Sequence, residues 1–514
     1  MGWLDKAIGW ISPETAYRRE MRREALGELK NYDAGSFGRL NTNWRAVNQS
    51  AEYTDRYDRD VVRARARDLE RNSDIMNSIV GPFVRNVVGK GLILQAETEK
   101  PDLNEKIEAL WRVWCKKRNC DVTGTQSLNQ ILRMAMRRKK IDGGILIVKR
   151  YTAGGVIPFK LQLFEVDELD ATRVTPKRQN GRVIGGVEYN RYNAPIGYWF
   201  RQYELDGFTM MEPIYVKADD VIFYYSKRRP SQLREMSDMS QTLMRIRDAN
   251  EFVTAVTMKQ RIQAVFALAI KRQYPTQGVG MAGRAPNAGP RKTYDSKMIA
   301  PGMVTEMNIG DELETINPQG QASDASSFLK LLQRIIGAGQ GISYEATSRD
   351  MSQTNYSSAR QGLIEDGMTY AEEDELLSDV LDEIYETFLI SAVLCGALNI
   401  PDFWSNKDKY FRHRFDQPPK GWIDPVKEVT VNKLALMTGQ KTFKQIAAES
   451  GSDWRTQVDD ICEVLQYAKE EHGVDLGGVI LGTGTTANPS GVDAETNEPD
   501  HDGSEPPSNG GDRQ

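Results

Sequence analysis

The stretch GISYEATSRDMSQTNYSSAR, residues 341–360, decides how the rest of this chain is read. On its N-terminal side Phe328, Leu331, Leu332, Ile335 and Ile336 recur at three- and four-residue spacing, the apolar stripe of a helix. Gly337, Gly339 and Gly341 end that stripe. On its C-terminal side a longer helical pattern passes through Leu363, Leu376, Leu377, Val380, Leu381, Ile384, Phe388, Ala392 and Cys395 almost to Leu398. Either Asn355 or Ser357 can serve as N-cap, since each side chain can accept from a free amide of the first turn. A helix from Ser358 to Ala397 would span roughly 60 Å, the length of a strut within something larger. Between the two helices, Ser343 to Asn355 is too polar to bury and too long for a tight turn. Polar loops held between strong helices are where function concentrates.

Gly341-Ile342-Ser343-Tyr344-Glu345, Asp350-Met351-Ser352 and Asn355-Tyr356-Ser357-Ser358-Ala359-Arg360, in this order and spacing, resemble the signature of lambda-type phage portal (head–tail connector) proteins. Arg65–Asn72, Asn86–Gly91, Leu163–Asp167, Gly186–Tyr189 and Gly197–Trp199 are similar to further elements of that family. Arg229–Ser237 resembles its Arg-Pro-x-Gln-x-Arg-Gly-x-Ser element but carries Glu235 where glycine is usual, which leaves the turn geometry open. The resemblance runs from about residue 55 to about 475, and a helix–loop–helix with a serine-rich cap is the plainer alternative for 341–360 alone.

The resemblance implies an α+β, mainly helical portal fold with wing, stem, clip and crown, assembling into a ring with a central channel. Its divisions fall at 1–52 (N-terminal arm), 53–237 (wing), 238–272 (first stem helix), 273–322 (clip) and 323–340 (second stem helix). Residues 341–356 become a tunnel loop, 357–424 the long helix and wing closure, 425–482 the crown, and 483–514 a disordered acidic tail. Arg349, Asp350, Ser352, Gln353 and Thr354 are then the DNA-facing residues, unless they serve loop and subunit contacts only. The implied setting is the portal vertex of a virion, after assembly in the host cytoplasm. The implied partners are eleven further copies, double-stranded DNA, a terminase motor at the clip, a head-completion or tail adaptor, and major capsid and scaffold proteins. A non-ring scaffold or adaptor, or a DNA-packaging enzyme, is the rival reading.

Composition constrains the partners. Of 514 residues 39% are hydrophobic and 27% charged, and the net charge is -5. Tight nucleic-acid binding calls for a basic excess that is absent here, so DNA would be passed rather than held. Cys115, Cys120, Cys395 and Cys462 are too few and scattered for a disulfide framework; Cys115 and Cys120, five apart beside Trp111 and Trp114, read as buried thiols on a helix rather than a metal pair, which fits a reducing compartment. The start of the chain lacks the apolar core of a signal peptide, and Lys6 stands where a myristoylation motif needs Ser or Thr. Trp3, Leu4, Ile8 and Ile11 suit a short amphipathic helix against a neighbour. No run of about eighteen apolar residues suggests a membrane span.

The remaining pattern predicts a charged helix from Asp60, a second ending at Gly89–Gly91, and helices over Leu103–Lys117 and Leu128–Lys140. Arg137–Lys140 reads as a C-terminal turn complementing the helix dipole, or else as a DNA contact. Strands are predicted at Ile145–Val148, Phe159–Phe164, Val183–Tyr189, Ile196–Gln202 and Val221–Tyr225. Helix is predicted again over Asp238–Lys271. Short β pieces follow at Met303–Met307 and Glu312–Ile316, an aromatic return at Phe403–Phe415, and two or three short helices from Pro425.

Enzyme signatures fail in context. Gly278–Gly283 matches a dinucleotide fingerprint but neither follows a strand nor opens a helix. Gly89-Lys90 precedes Gly91, not Ser or Thr, so it is no P-loop. With only His413, His472 and His501, a histidine metal or nuclease site is not expected. No catalytic residue, metal ligand or cofactor is assigned. Glu372, Glu373, Asp374, Glu375, Asp379, Asp382, Glu383 and Glu386 form either a solvated or inter-subunit helix face, or a channel wall that repels phosphate.

Overall fold

The computed structural model describes residues 10, 12–28, 47–179, 181–204, 209–265, 269–272, 311–314, 322–352, 354–416, 425–450, 454–474 and 476. It divides into two compact units, Met1–Pro418 and Pro419–Gln514. Outside the described residues lie Gln353, the Gly278–Gly283 match, Met303–Met307, the apolar set of residues 3–11 and the acidic tail.

The first unit opens with α1 (Pro13–Glu28), α2 (Ala51–Asp55), α3 (Arg59–Asn72) and α4 (Asp74–Phe83). Ser73 separates the last two and caps α4, its Oγ accepting from the Met76 amide at 3.2 Å. A π turn, Val84–Val88, follows and ends at Gly89 (φ +51°), with Gly91 at φ +114°, as the glycine spacing predicts. Next come β1 (Ile93–Ala96), α5 (Pro101–Trp114), α6 (Lys117–Cys120) and α7 (Leu128–Asp142). A capping box of Ser127 and Gln130 starts α7. It stops at Gly143 (φ +92°), where a Cβ would sit 2.4 Å from the Met236 carbonyl carbon. Only glycine allows the 229–237 element this close.

The strands are β2 (Gly144–Tyr151), β3 (Phe159–Phe164), β4 (Arg182–Ile184), β5 (Val187–Tyr189), β6 (Pro195–Tyr203), β7 (Met210–Lys217) and β8 (Val221–Tyr225). They form two antiparallel sheets, ordered β3-β2-β8 and β4-β5-β6-β7. The run expected over Val183–Tyr189 is two strands, because Gly185 and Gly186 both take positive φ and reverse the chain.

Beyond them lie α8 (Leu243–Val265), the antiparallel pair β9 (Ala269–Arg272) and β10 (Asp311–Glu314), then α9 (Ala322–Gly339), α10 (Tyr344–Ser348), α11 (Tyr356–Leu394), α12 (Lys407–Tyr410) and β11 (His413–Asp416). The helix expected over Asp238–Lys271 is shorter at both ends. Thr242 Oγ1 bonds the Met239 carbonyl at 3.0 Å, a local turn that competes with helix, and Ala269–Arg272 pairs as strand. β11 returns to β1 in antiparallel register, Ile93 opposite Asp416.

One core gathers α4, α5, α7 and the C-terminal half of α11, with Phe83, Trp114, Met136, Ile384 and Phe388 all buried. Trp111 meets Phe388 edge-on at 5.0 Å, and Trp114 stacks on Phe159 at 5.4 Å while donating Nε1–H to the Phe159 carbonyl at 2.9 Å. Each such aromatic pair contributes about 0.5–1.5 kcal/mol beyond its area. A second core of Val187, Tyr198, Phe200 and Leu233 lies between the sheets and the 229–237 element. Cys120 is buried in the first core, its thiol pushed up to about 12 by burial and then by Asp121.

Two expectations about charge gain detail from the structure. Lys139 and Lys140 lie in the last turn of α7, as the dipole reading of Arg137–Lys140 expects, but the run is also held by carboxylates of other elements. Arg137 and Arg138 pair with Glu70 on α3, while Lys139 and Lys140 are buried against Glu373 of α11, with Asp238 at 3.2 and 3.6 Å. Glu373 therefore leaves the acidic face of α11. Burial would raise its pKa, but Lys140 and Lys139 outweigh that and hold it below the ordinary range. Glu235, standing at the usual glycine, is fully buried and meets Arg63 at 3.1 Å and Arg234 at 2.7 Å. A carboxylate between two guanidinium groups explains how the element tolerates it.

The second unit contains α13 (Pro425–Met437), α14 (Phe443–Glu449) and α15 (Trp454–His472). Among the described residues no helix is long and apolar enough to cross a membrane.

Candidate functional site

The polar segment between α9 and α11 is anchored at its root. Gln340 is buried at the end of α9 and donates to the Asp238 carbonyl (3.2 Å) and to Thr242 Oγ1 (3.3 Å). Gly341, at φ +71°, accepts from Thr369 Oγ1 of α11 at 2.6 Å. Ser343 then caps α10, accepting from the Ala346 amide at 3.2 Å. Asp366 of α11 takes both the Ser343 amide (2.6 Å) and hydroxyl (2.7 Å). These ties were invisible in the pattern, because Ser343 and Asp366 stand 23 residues apart.

The segment is more ordered than a polar loop would be. Residues 344–348 form α10, which packs on α4, with Thr347 buried. Arg349 follows as C-cap in the left-handed conformation, φ +57°. Asp350 accepts from the Ser352 hydroxyl (2.6 Å) and amide (3.1 Å) and from Tyr344 Oη (3.2 Å), with Lys330 Nζ at 3.7 Å. The Ser352 bonds first, then Tyr344 and Lys330, lower the Asp350 pKa to about 2. Thr354 Oγ1 donates to Glu345 at 3.3 Å. Of the two capping candidates, Asn355 does the work, accepting from the Ser358 amide at 2.8 Å. Tyr356 opens α11; Ser357, Ser358 and Arg360 are exposed and Ala359 half-buried.

Thus Asp350, Ser352 and Thr354 are joined by bonds within the segment, and Arg349 extends from it into solvent. Among the described residues there is no cluster of three or more His, Cys, Asp or Glu side chains that could hold a metal. His413 is occupied structurally, with Nε2 3.0 Å from Asp382 and Nδ1 2.7 Å from the Phe411 carbonyl.

The helices flanking the segment leave apolar faces open. Ile336 is buried, but Phe328, Leu331 and Ile335 are 44%, 52% and 38% exposed. Leu363, Ile364 and Met368 on the first turns of α11 are exposed as well.

Comparison with known proteins shows the family. The family model for phage portal proteins of the lambda family matches residues 37–373. The probable portal protein of Halomonas phage phiHAP-1 is 24% identical over 448 residues, covering 84% of this chain and 85% of that one. Portal protein B of Escherichia phage lambda is 19% identical over 478 residues, covering 84% and 88%. Among solved structures, the neck of an empty gene transfer agent particle aligns with a TM-score of 0.45 at 12% identity, over 75% of this chain and 93% of that one. With its family signature matched across most of its length, this chain belongs to the lambda family of phage portal proteins.

Proposed function

We propose that copies of this chain, twelve by family resemblance, close into a ring at one capsid vertex and pass double-stranded DNA during packaging and ejection. The observation carrying this reading is the uncovered apolar stripe of α9 together with the exposed apolar side chains on the first turns of α11. Two unlike faces on one chain suit a head-to-tail contact, which closes into a ring when the rotation per subunit divides a full turn. Covering them removes apolar area from water at about 25 cal/mol per Å². In this reading the segment from Ser343 to Asn355 turns toward the hole, with Arg349, Asp350, Ser352, Gln353 and Thr354 nearest the DNA. The exposed acids of α11, without Glu373, keep duplex from sticking. A terminase motor docks at residues 273–322 and hydrolyses the ATP; a head-completion or tail adaptor later takes its place. Capsid and scaffold proteins surround the ring. The chain itself performs no catalysis and ends in the virion after assembly in the host cytoplasm.

Negative-stain microscopy of the purified protein is the first test. An annulus is expected; compact monomers or solid rods under assembly conditions would reject the ring. Shortening the 343–355 segment in intact rings should impair packaging or retention of DNA, and normal packaging would reject its role.

A further inference from the structure

The outer face of the β4-β5-β6-β7 sheet gathers cations whose acidic neighbours are already engaged. Tyr198, Phe200 and Val216 belong to the second core, so by alternation Trp199, Tyr215 and Lys217 stand on the opposite side of the sheet. Trp199 lies directly across from Tyr215 in the register, with ring centroids 5.0 Å apart. Gly197 leaves room for the Tyr215 ring, since a Cβ there would be 2.2 Å from Cζ. The chain following Ala171 is laid against this face. Glu188, fully buried on β5, pins it by accepting from the Lys177 amide at 3.0 Å and the Arg178 amide at 2.8 Å. The Arg173 guanidinium sits over Trp199 at 4.3 Å, and the Lys177 ammonium over Tyr215 at 4.4 Å.

Donors are in excess on this face. From Ala171 to Val187 the sequence holds Arg173, Lys177, Arg178 and Arg182 and no acid. Glu188 is taken up by the two amides, and Asp170 by the Thr172 amide (3.1 Å) and hydroxyl (2.6 Å), with Arg201 at 3.7 Å. Among the described residues Arg173, Lys177, Arg178 and Lys217 form no ion pair, and the buried Trp199 Nε1–H has no acceptor. Seating two of the cations over rings fixes them before a partner arrives, which lowers the ordering cost of binding. The exposed side chains between them include Thr172, Thr175 and Gln179, types that bond phosphate oxygens, with Val174 the one large apolar group. A protein interface instead thins out charge and gathers apolar anchors at its centre. Guanidinium forks match the paired oxygens of a phosphate.

We propose that this face of the sheet binds the phosphate backbone of duplex DNA through Arg173, Lys177, Arg178 and Lys217, a contact separate from the 343–355 segment. It rests on the reading of the chain as a protein that handles duplex DNA, but not on closure of the ring. On a chain of net charge -5 the contact is local and salt-sensitive, a place where duplex rests rather than one that grips it.

The test uses the full-length protein, a linear duplex fragment of arbitrary sequence, and fluorescent polyglutamate as a second polyanion, with binding measured over a series of salt concentrations. Two double variants are made: Arg178→Gln with Lys217→Gln, which uncovers neither ring, and Arg173→Gln with Lys177→Gln, which uncovers both. Each should keep the wild-type circular dichroism spectrum and assembly state. Each should bind duplex roughly tenfold more weakly at low salt, and the slope of log K against log salt should flatten by about 0.9 for each phosphate no longer neutralised. The losses should persist on an Arg349→Gln background, which removes the cation of the 343–355 segment. Unchanged affinity and slope in the Arg178→Gln, Lys217→Gln protein, with wild-type protein binding duplex, would overturn the assignment. So would loss of polyglutamate binding with duplex binding retained, which gives the face to an acidic protein segment. Folded variants that no longer assemble as the wild type does would give it to a neighbouring subunit and overturn it too. Wild-type protein that binds no duplex sinks this proposal, while rings seen by microscopy decide the annulus separately.

Discussion

Replacing Glu373 by glutamine should destabilise the first unit far more than its single charge suggests. Lys139 is fully buried and Lys140 nearly so; they share Glu373 and Asp238, and Lys140 Nζ also lies 3.9 Å above the Phe83 ring. Glu373→Gln leaves two buried ammonium groups with one carboxylate, Asp238 at 3.2 and 3.6 Å. Breaking a buried ion pair from one side costs about 3–5 kcal/mol, whereas an exposed substitution typically stays within about 0.5 kcal/mol. Glu372→Gln, one residue away and exposed, is the matched control. Urea unfolding should show a lower midpoint for Glu373→Gln at unchanged slope. Acid supplies the second readout. Because the folded pKa of Glu373 is depressed, its stabilisation is present above about pH 4.5 and is lost as pH falls through the folded value. The variant should lack that part of the acid limb. Equal midpoints for the two variants, with superimposable pH profiles, would refute the buried-hub argument.

Two further outcomes follow from the same geometry. Asn355→Ala removes the acceptor for the Ser358 amide and should cost about 1 kcal/mol, seen as faster hydrogen exchange confined to the first turn of α11; unchanged exchange would mean another group caps the helix. Leu331→Asp, half-exposed in the single chain, should leave monomer folding by circular dichroism intact but abolish rings in sedimentation; normal rings would remove α9 from the subunit contact.

The elements legible in the sequence were those whose signal is local. The period-3.6 stripe through Leu377, Leu381, Ile384 and Phe388 gave the buried half of α11, and the apolar run 221–225 gave β8 to the residue. β1, β7 and β11 were missed. Ile93–Ala96 and His413–Asp416 are mixed in polarity and make sense as strands only when paired, and β7 is an edge strand carrying Pro213. The basic run 137–140 was legible as the end of its helix, but its partners, Glu70, Asp238 and Glu373, were not, because they lie far along the chain. In the polar segment, spacing found Asn355 as one of two caps. It could not show that Ser343 is bound to Asp366 or that residues 344–348 form a helix.

The pairing of β1 with β11 also bears on how the protein is made. Ala96 waits for His413, 317 residues downstream. At about 5–20 residues per second, a ribosome needs on the order of 16–60 seconds to deliver that partner. Throughout that interval β1 emerges with a row of unmatched amides and carbonyls, close to the tryptophans of α5. Premature termination before residue 413 therefore yields not a shorter subunit but a chain with a sticky seam, and the last strand of the unit doubles as a check that translation has run far enough.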